Sequence, residues 1–84
     1  SRTSASRIHF AFLDGSHSYS SVMSEFLFIY PSQLTGDIII FDDYDSNLFP
    51  GLVNAVDQIS KLYDYSLNYI HTSQTRFLVI ATKN

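Results

Sequence analysis

Cysteine and tryptophan are absent from this chain of 84 residues, glycine occurs three times and proline twice. Without cysteine there is no disulfide scaffold, no thiolate zinc site and no thiol nucleophile. Basic residues are also few: five Lys and Arg stand against eight Asp and Glu, for a formal net charge of -3. They lie scattered at Arg2, Arg7, Lys61, Arg76 and Lys83, so no basic patch is available to neutralise a phosphate backbone, and nucleic acid is not an expected partner. No apolar run approaches the length of a membrane span, and no charged-then-apolar leader opens the chain. The expectation is therefore no membrane partner and a cytoplasmic location.

What is present favours folding. Hydrophobic residues make up 45% and aromatic residues 15% of the chain, which is too apolar for a disordered tail. The length suits one small domain, close to the size at which a single core becomes marginal. Residues 1–6 are small, polar and without period, and read as a disordered arm or an appended remnant. Residues 7–84 read as a single α/β domain.

Within that domain the pattern alternates. Ile8-His9-Phe10-Ala11-Phe12-Leu13 is a buried-strand pattern stopped by Asp14-Gly15-Ser16. Val22, Met23, Phe26, Leu27, Ile29 and Tyr30 recur at helical spacing, with Ser18 or a neighbouring Ser as cap and Pro31 as terminator. Ile38-Ile39-Ile40-Phe41, closed by Asp42-Asp43-Tyr44-Asp45, has the β-branched content of a strand covered on both faces. After Pro50-Gly51, the residues Leu52, Val53, Val56, Ile59, Leu62 and Tyr63 give a second helical stripe. Two strands over 65–70 and 76–82, joined by a short polar link, complete the order strand, helix, strand, helix, strand, strand. The predicted elements are strands at 7–13, 37–42, 65–70 and 76–82 and helices at 18–30 and 51–63. The short last link makes the final pair antiparallel, and the first two strands are parallel across a right-handed helical crossover.

Parallel strands bring their carboxyl ends to one rim, which is where open α/β sheets bind ligands. Asp14 ends the first strand, and Asp42 and Asp43 end the second. If the two are neighbours about 4.8 Å apart, three carboxylates converge. A hard divalent cation such as Mg²⁺ or Ca²⁺ would relieve their repulsion. His17, three residues past Asp14, is placed to serve the same rim as a general base. The same residues also make caps and turns, and that reading stands beside the first. His9 is expected in the core and His71 in a loop, while Tyr19 and Tyr44 are expected to pack with their hydroxyls exposed.

Two motifs in order give a resemblance. Phe12-Leu13-Asp14-Gly15-Ser16-His17-Ser18-Tyr19, followed after one helix by Leu34-Thr35-Gly36-Asp37-Ile38-Ile39-Ile40-Phe41-Asp42-Asp43-Tyr44, resembles the carboxyl-terminal half of class I S-adenosylmethionine-dependent methyltransferases. The group it is most similar to is the macrocin-type sugar O-methyltransferases, with Gly51-Leu52-Val53-Asn54-Ala55-Val56 resembling the family's next helix and Phe77 to Lys83 its final strand. The resemblance covers residues 8 to 83 and departs from the family's Gly-Gly turn at Asp37. It implies half of a Rossmann-like methyltransferase sheet, ordered β-α-β-α-β-β, with the last strand antiparallel and inserted between the second and third. It also implies Asp14, Asp42 and Asp43 as ligands of Mg²⁺ or another divalent cation and His17 as the catalytic base. The implied reaction is metal-assisted deprotonation of a substrate hydroxyl followed by attack on the sulfonium methyl group.

The family's amino-terminal half, with its Gly-rich loop and the acidic residue that hold the cofactor, has no counterpart here. The expectation is a fragment or truncated relative of such an enzyme, with S-adenosylmethionine bound only where the missing half is supplied. The other expectation is a noncatalytic oligomeric or partner-binding module. A homodimer through the strand from Ile8 to Leu13 or the helix from Ser18 to Tyr30 follows from the apolar area of Phe10, Phe12, Phe26 and Phe28. By the acidic-pair criterion alone, Asp42-Asp43 also resembles response-regulator receivers, but the next strand ends at Ile70-His71 and offers no phosphorylatable Asp.

Overall fold

The computed structural model describes residues 7–15 and 17–84. The arm expected over 1–6 lies outside the described residues. The elements run β1 (Phe10–Leu13), α1 (Tyr19–Ile29), a 3-10 turn (Tyr30–Ser32), β2 (Ile38–Tyr44), α2 (Pro50–Tyr63), β3 (Tyr65–Ser73) and β4 (Arg76–Lys83). They form a four-stranded mixed sheet in the order β1-β2-β4-β3. β1 and β2 are parallel, and β4 is antiparallel to both β2 and β3. The last strand therefore sits between the second and third.

Local chemistry explains the element ends. The Ser18 hydroxyl accepts the Ser21 N–H at 3.2 Å and caps α1. α1 buries Val22, Phe26 and Ile29, one stripe at helical spacing. Pro31 falls in the 3-10 turn that follows, where its missing N–H costs nothing. Pro50 opens α2 at the position where an N–H would be unsatisfied in any case. Asp64, left-handed at φ 63°, stops α2, and its N–H bonds the Ser60 carbonyl.

Strand alternation puts the core on one face. Ile39 and Phe41 of β2 and Val79 and Ala81 of β4 are buried with Leu52, Ala55, Val56 and Ile59 of α2 and the stripe of α1. Phe26, at the centre, meets Tyr63 and Tyr65 edge-on at 5.0 and 5.5 Å. Phe26 is fully buried, which corrects its assignment to uncovered apolar area: it lies on the inward stripe of α1, whereas Phe28 lies two residues on and is 81% exposed.

Two further readings are corrected. His9 is exposed, because β1 starts only at Phe10 and the residue before it contributes its carbonyl, which accepts the Ile38 N–H. His71 belongs to β3, since the chain reverses more tightly than its polar composition suggests. Left-handed Gln74 (φ 47°) makes the turn, and its carbonyl lies 2.6 Å from His71 Nε2. Asp37, where the resemblance departs from the family's glycine turn, is 3% exposed and takes a forked ion pair from Arg7 at 2.8 to 3.2 Å. It also accepts the Leu34 N–H at 2.8 Å. The Arg7 hydrogen bonds, then that N–H, hold its carboxyl down at about 2.

Candidate functional site

The parallel register pairs Leu13 with Phe41, so the residues following each, Asp14 and Asp42, stand side by side. One carboxylate oxygen from each of Asp14, Asp42 and Asp43 lies within 4.8 Å of the others. Asp14 is exposed, and Asp42 and Asp43 are half-buried. β2 does not end at this pair but continues to Tyr44 through a register irregularity between Phe41 and Tyr44. Within it, Asp43 adopts φ 63°, an unusual conformation that Asp tolerates better than most residues. The Asp43 N–H turns back onto Asp42 Oδ1 at 2.8 Å.

His17 reaches the same place from the start of α1. Its Nε2 lies 3.0 Å from Asp43 Oδ2, and because a carboxylate accepts, Nε2 donates in that hydrogen bond. The imidazole stacks on Phe49 with centroids 3.9 Å apart and planes 15° from parallel. Gly51 makes that packing possible: a Cβ there would stand 2.8 Å from the Tyr19 nitrogen and 3.3 Å from the His17 carbonyl oxygen. Across the cluster, Arg76 Nε is buried without a hydrogen bond and faces Asp43 Oδ1 at 3.4 Å.

The predicted residues Asp14, His17, Asp42 and Asp43 are thus brought together. Others are not. Asp45 is buried and accepts Asn47 N, Leu48 N and Thr75 Oγ1, closing the loop before α2. The Thr75 hydroxyl, then the two N–H groups, lower its pKa. The Tyr19 and Tyr44 hydroxyls bond Gln58 and Asp57 of α2, and burial, then Asp57, raises the Tyr44 pKa. Phe49, Gly51 and Arg76 were not singled out for the site. Arg76 was the most accessible of these, because an antiparallel β4 must begin where β2 ends.

The donor set suits a hard cation, since all three groups offer oxygen and leave room for water ligands. Its charge supports this, as three carboxylates converge and Arg76 pairs with Asp43 among them. No protein-family model and no curated protein matches the chain. No helix among the described residues is long and apolar enough to cross a membrane.

Proposed function

We propose that the rim formed by Asp14, Asp42 and Asp43 is the metal-binding half of an S-adenosylmethionine-dependent O-methyltransferase site. The observation that carries this is the convergence of the three carboxylates within 4.8 Å beside the Asp43-bound imidazole of His17. A bound divalent cation would be held by Asp14, Asp42 and Asp43 and would acidify a coordinated hydroxyl. The chain's own part is to hold His17 by Asp43 and by the Phe49 face, so that the imidazole stands beside the rim as the base for the hydroxyl proton. The residues present do not fit S-adenosylmethionine, for no glycine-rich strand-to-helix turn cradles a cofactor here, and no methyl-transfer step is derived for this chain.

Calorimetric titration with Mg²⁺ and Mn²⁺ tests the reading. Saturable heat that disappears in Asp14→Asn supports it, and no heat with either ion at millimolar concentration refutes it. A second reading, a noncatalytic oligomeric module derived from the same fold, is favoured by one observation: the outer edge of β1 and the sheet face away from the helices carry exposed aromatic residues, Phe10 and Phe12.

A further inference from the structure

Arg76 opens β4, and the antiparallel pairing of β4 with β2, which matches Phe77 to Tyr44, sets it beside the end of β2. Its Nε is buried, has no hydrogen-bond partner and stands 3.4 Å from Asp43 Oδ1, although the side chain as a whole is 40% exposed. Burying a guanidinium N–H without an acceptor costs stability, so an attraction of another kind must offset it. Charge supplies that attraction. Asp43 is paired with Arg76, and Asp14 and Asp42 each bring a carboxylate oxygen within 4.8 Å of one on Asp43. Among the described residues, Arg76 is the one Lys or Arg in an ion pair with the rim, since Arg7 is forked onto Asp37 and Lys83 donates to Gln33 O. Nearby Asp45 does not account for its position, because the Asp45 oxygens take the Asn47 and Leu48 N–H groups and the Thr75 hydroxyl.

We propose that Arg76 is the resident counter-ion of the acidic rim: it stabilises the metal-free protein and, as a like charge beside a bound divalent cation, lowers the rim's affinity for that cation. The inference rests on the reading of the rim as a metal site and adds how that site is tuned. One charge acts with two signs. In the metal-free protein the guanidinium balances one of three converging negative charges and eases their repulsion. With a cation held by the same carboxylates, the guanidinium repels it. A unit charge acting on a doubly charged ion from a few ångströms in a water-like medium shifts its Kd by about tenfold. A residue that only closed the strand end would move both quantities together, since its loss would loosen the fold and the ligand set alike. The two roles therefore separate by sign.

Calorimetric titration of the whole chain with Mn²⁺ at low ionic strength, beside thermal unfolding without metal, tests this. In Arg76→Gln the Kd for Mn²⁺ is expected to fall about tenfold while the metal-free Tm drops by a few degrees. Arg76→Met, which keeps the apolar stem, is expected to shift both in the same directions. Arg76→Lys, which keeps the charge and loses the planar fork, is expected to bring both back toward the unmutated values. Arg76→Gln and Arg76→Met proteins that bind Mn²⁺ no more tightly than the unmutated chain overturn the proposal and leave the metal reading standing. Tighter binding that Arg76→Lys shares also overturns it, because charge would not then be the cause, and so does a metal-free Tm that stays or rises in Arg76→Gln. Saturable binding in Arg76→Gln with none in the unmutated chain supports the proposal while refuting the metal reading for the unmutated chain. No binding in any of the four proteins overturns both.

Discussion

Gly51→Ala separates the close approach at the site from ordinary helix preference, because the two predict opposite signs. Gly51 is the second residue of α2. In an exposed helix interior, Ala is favoured over Gly by about 1 kcal/mol, and by less in a first turn. Against that stands a contact: the new Cβ would lie 2.8 Å from Tyr19 N, 3.3 Å from His17 O and 3.4 Å from Ser18 C. All three are backbone atoms, so no side-chain rotation relieves the overlap, and the start of α2 must move away from residues 17–19. Overpacking of this kind costs about 1–3 kcal/mol. The net expectation is a loss of about 1–2 kcal/mol, or about 5–10 °C in Tm for a domain of this size. The same displacement separates the His17 and Phe49 rings, now 3.9 Å apart, so the ring-current shift of the His17 protons in NMR should shrink with it. Thermal unfolding followed by circular dichroism is the assay. A Tm equal to or above that of the unmutated protein would refute the packing argument.

Three other perturbations probe the rim, the salt bridge and the core. Asp42→Asn removes one of three converging charges while keeping an Oδ1 that accepts the Asp43 N–H; metal-free Tm should rise and stabilisation by millimolar Mg²⁺ should be lost, and a fall in metal-free Tm would contradict the repulsion. Asp37, held at about 2 chiefly by Arg7, has a depressed pKa, so its contribution is present above about pH 4 and is lost as pH falls through about 2. Arg7→Ala raises that pKa, and acid unfolding should move to higher pH; an unmoved midpoint would show that the fork does not couple to folding. Phe26→Ala empties the centre of the aromatic cluster and should cost about 3–5 kcal/mol in urea unfolding, whereas a loss under about 1 kcal/mol would mean that the core closes over the gap.

Periodicity was sufficient for the elements because each buries a face of its own. Leu52, Val56 and Ile59 recur as a stripe whatever the tertiary partner, and alternate residues of β2 and β4 do the same. The insertion of β4 between β2 and β3 has no such local signal and was expected from family resemblance alone. The errors have a common form. The fork on Asp37 has no local signal because its partner, Arg7, lies 30 residues earlier, and a stripe shows spacing but not that Phe26 sits at its centre. The polar link around His71 suggests a loop because Gln74 takes a left-handed turn that its residue type does not advertise. At the rim, Asp14, Asp42 and Asp43 followed from strand polarity, which is visible in a sequence. Phe49 and Arg76 come from loop closure and antiparallel pairing, which are not.

The contrast among the carboxylates shows why chemistry gathers at one end of the sheet. At the end where β2 begins, Asp37 is buried, forked by Arg7 and bonded by Leu34 N–H, while Gln33 ties Ile8 O, Ile38 O and the Tyr65 hydroxyl together. Lys83 closes that end by donating to Gln33 O and lying over the Tyr30 ring. Burial, then Tyr30 and Asp37, pushes the Tyr65 hydroxyl up to about 12, so it stays neutral and keeps donating at physiological pH. Among the described residues, Asp37, Arg7 and Lys83 each have a fixed partner there. At the other end the same residue type is treated differently. Asp14 is exposed, Asp42 accepts one backbone N–H, and Asp43 divides its oxygens between His17 and a guanidinium nitrogen that pairs with it by charge without a hydrogen bond. A carboxylate provides about four lone-pair positions, so the rim retains acceptor capacity that the opposite end has used up. The backbone irregularity at Asp43 belongs with that surplus: a left-handed residue in a strand costs stability, and here it aims a carboxylate between His17 and Arg76 rather than closing a ladder.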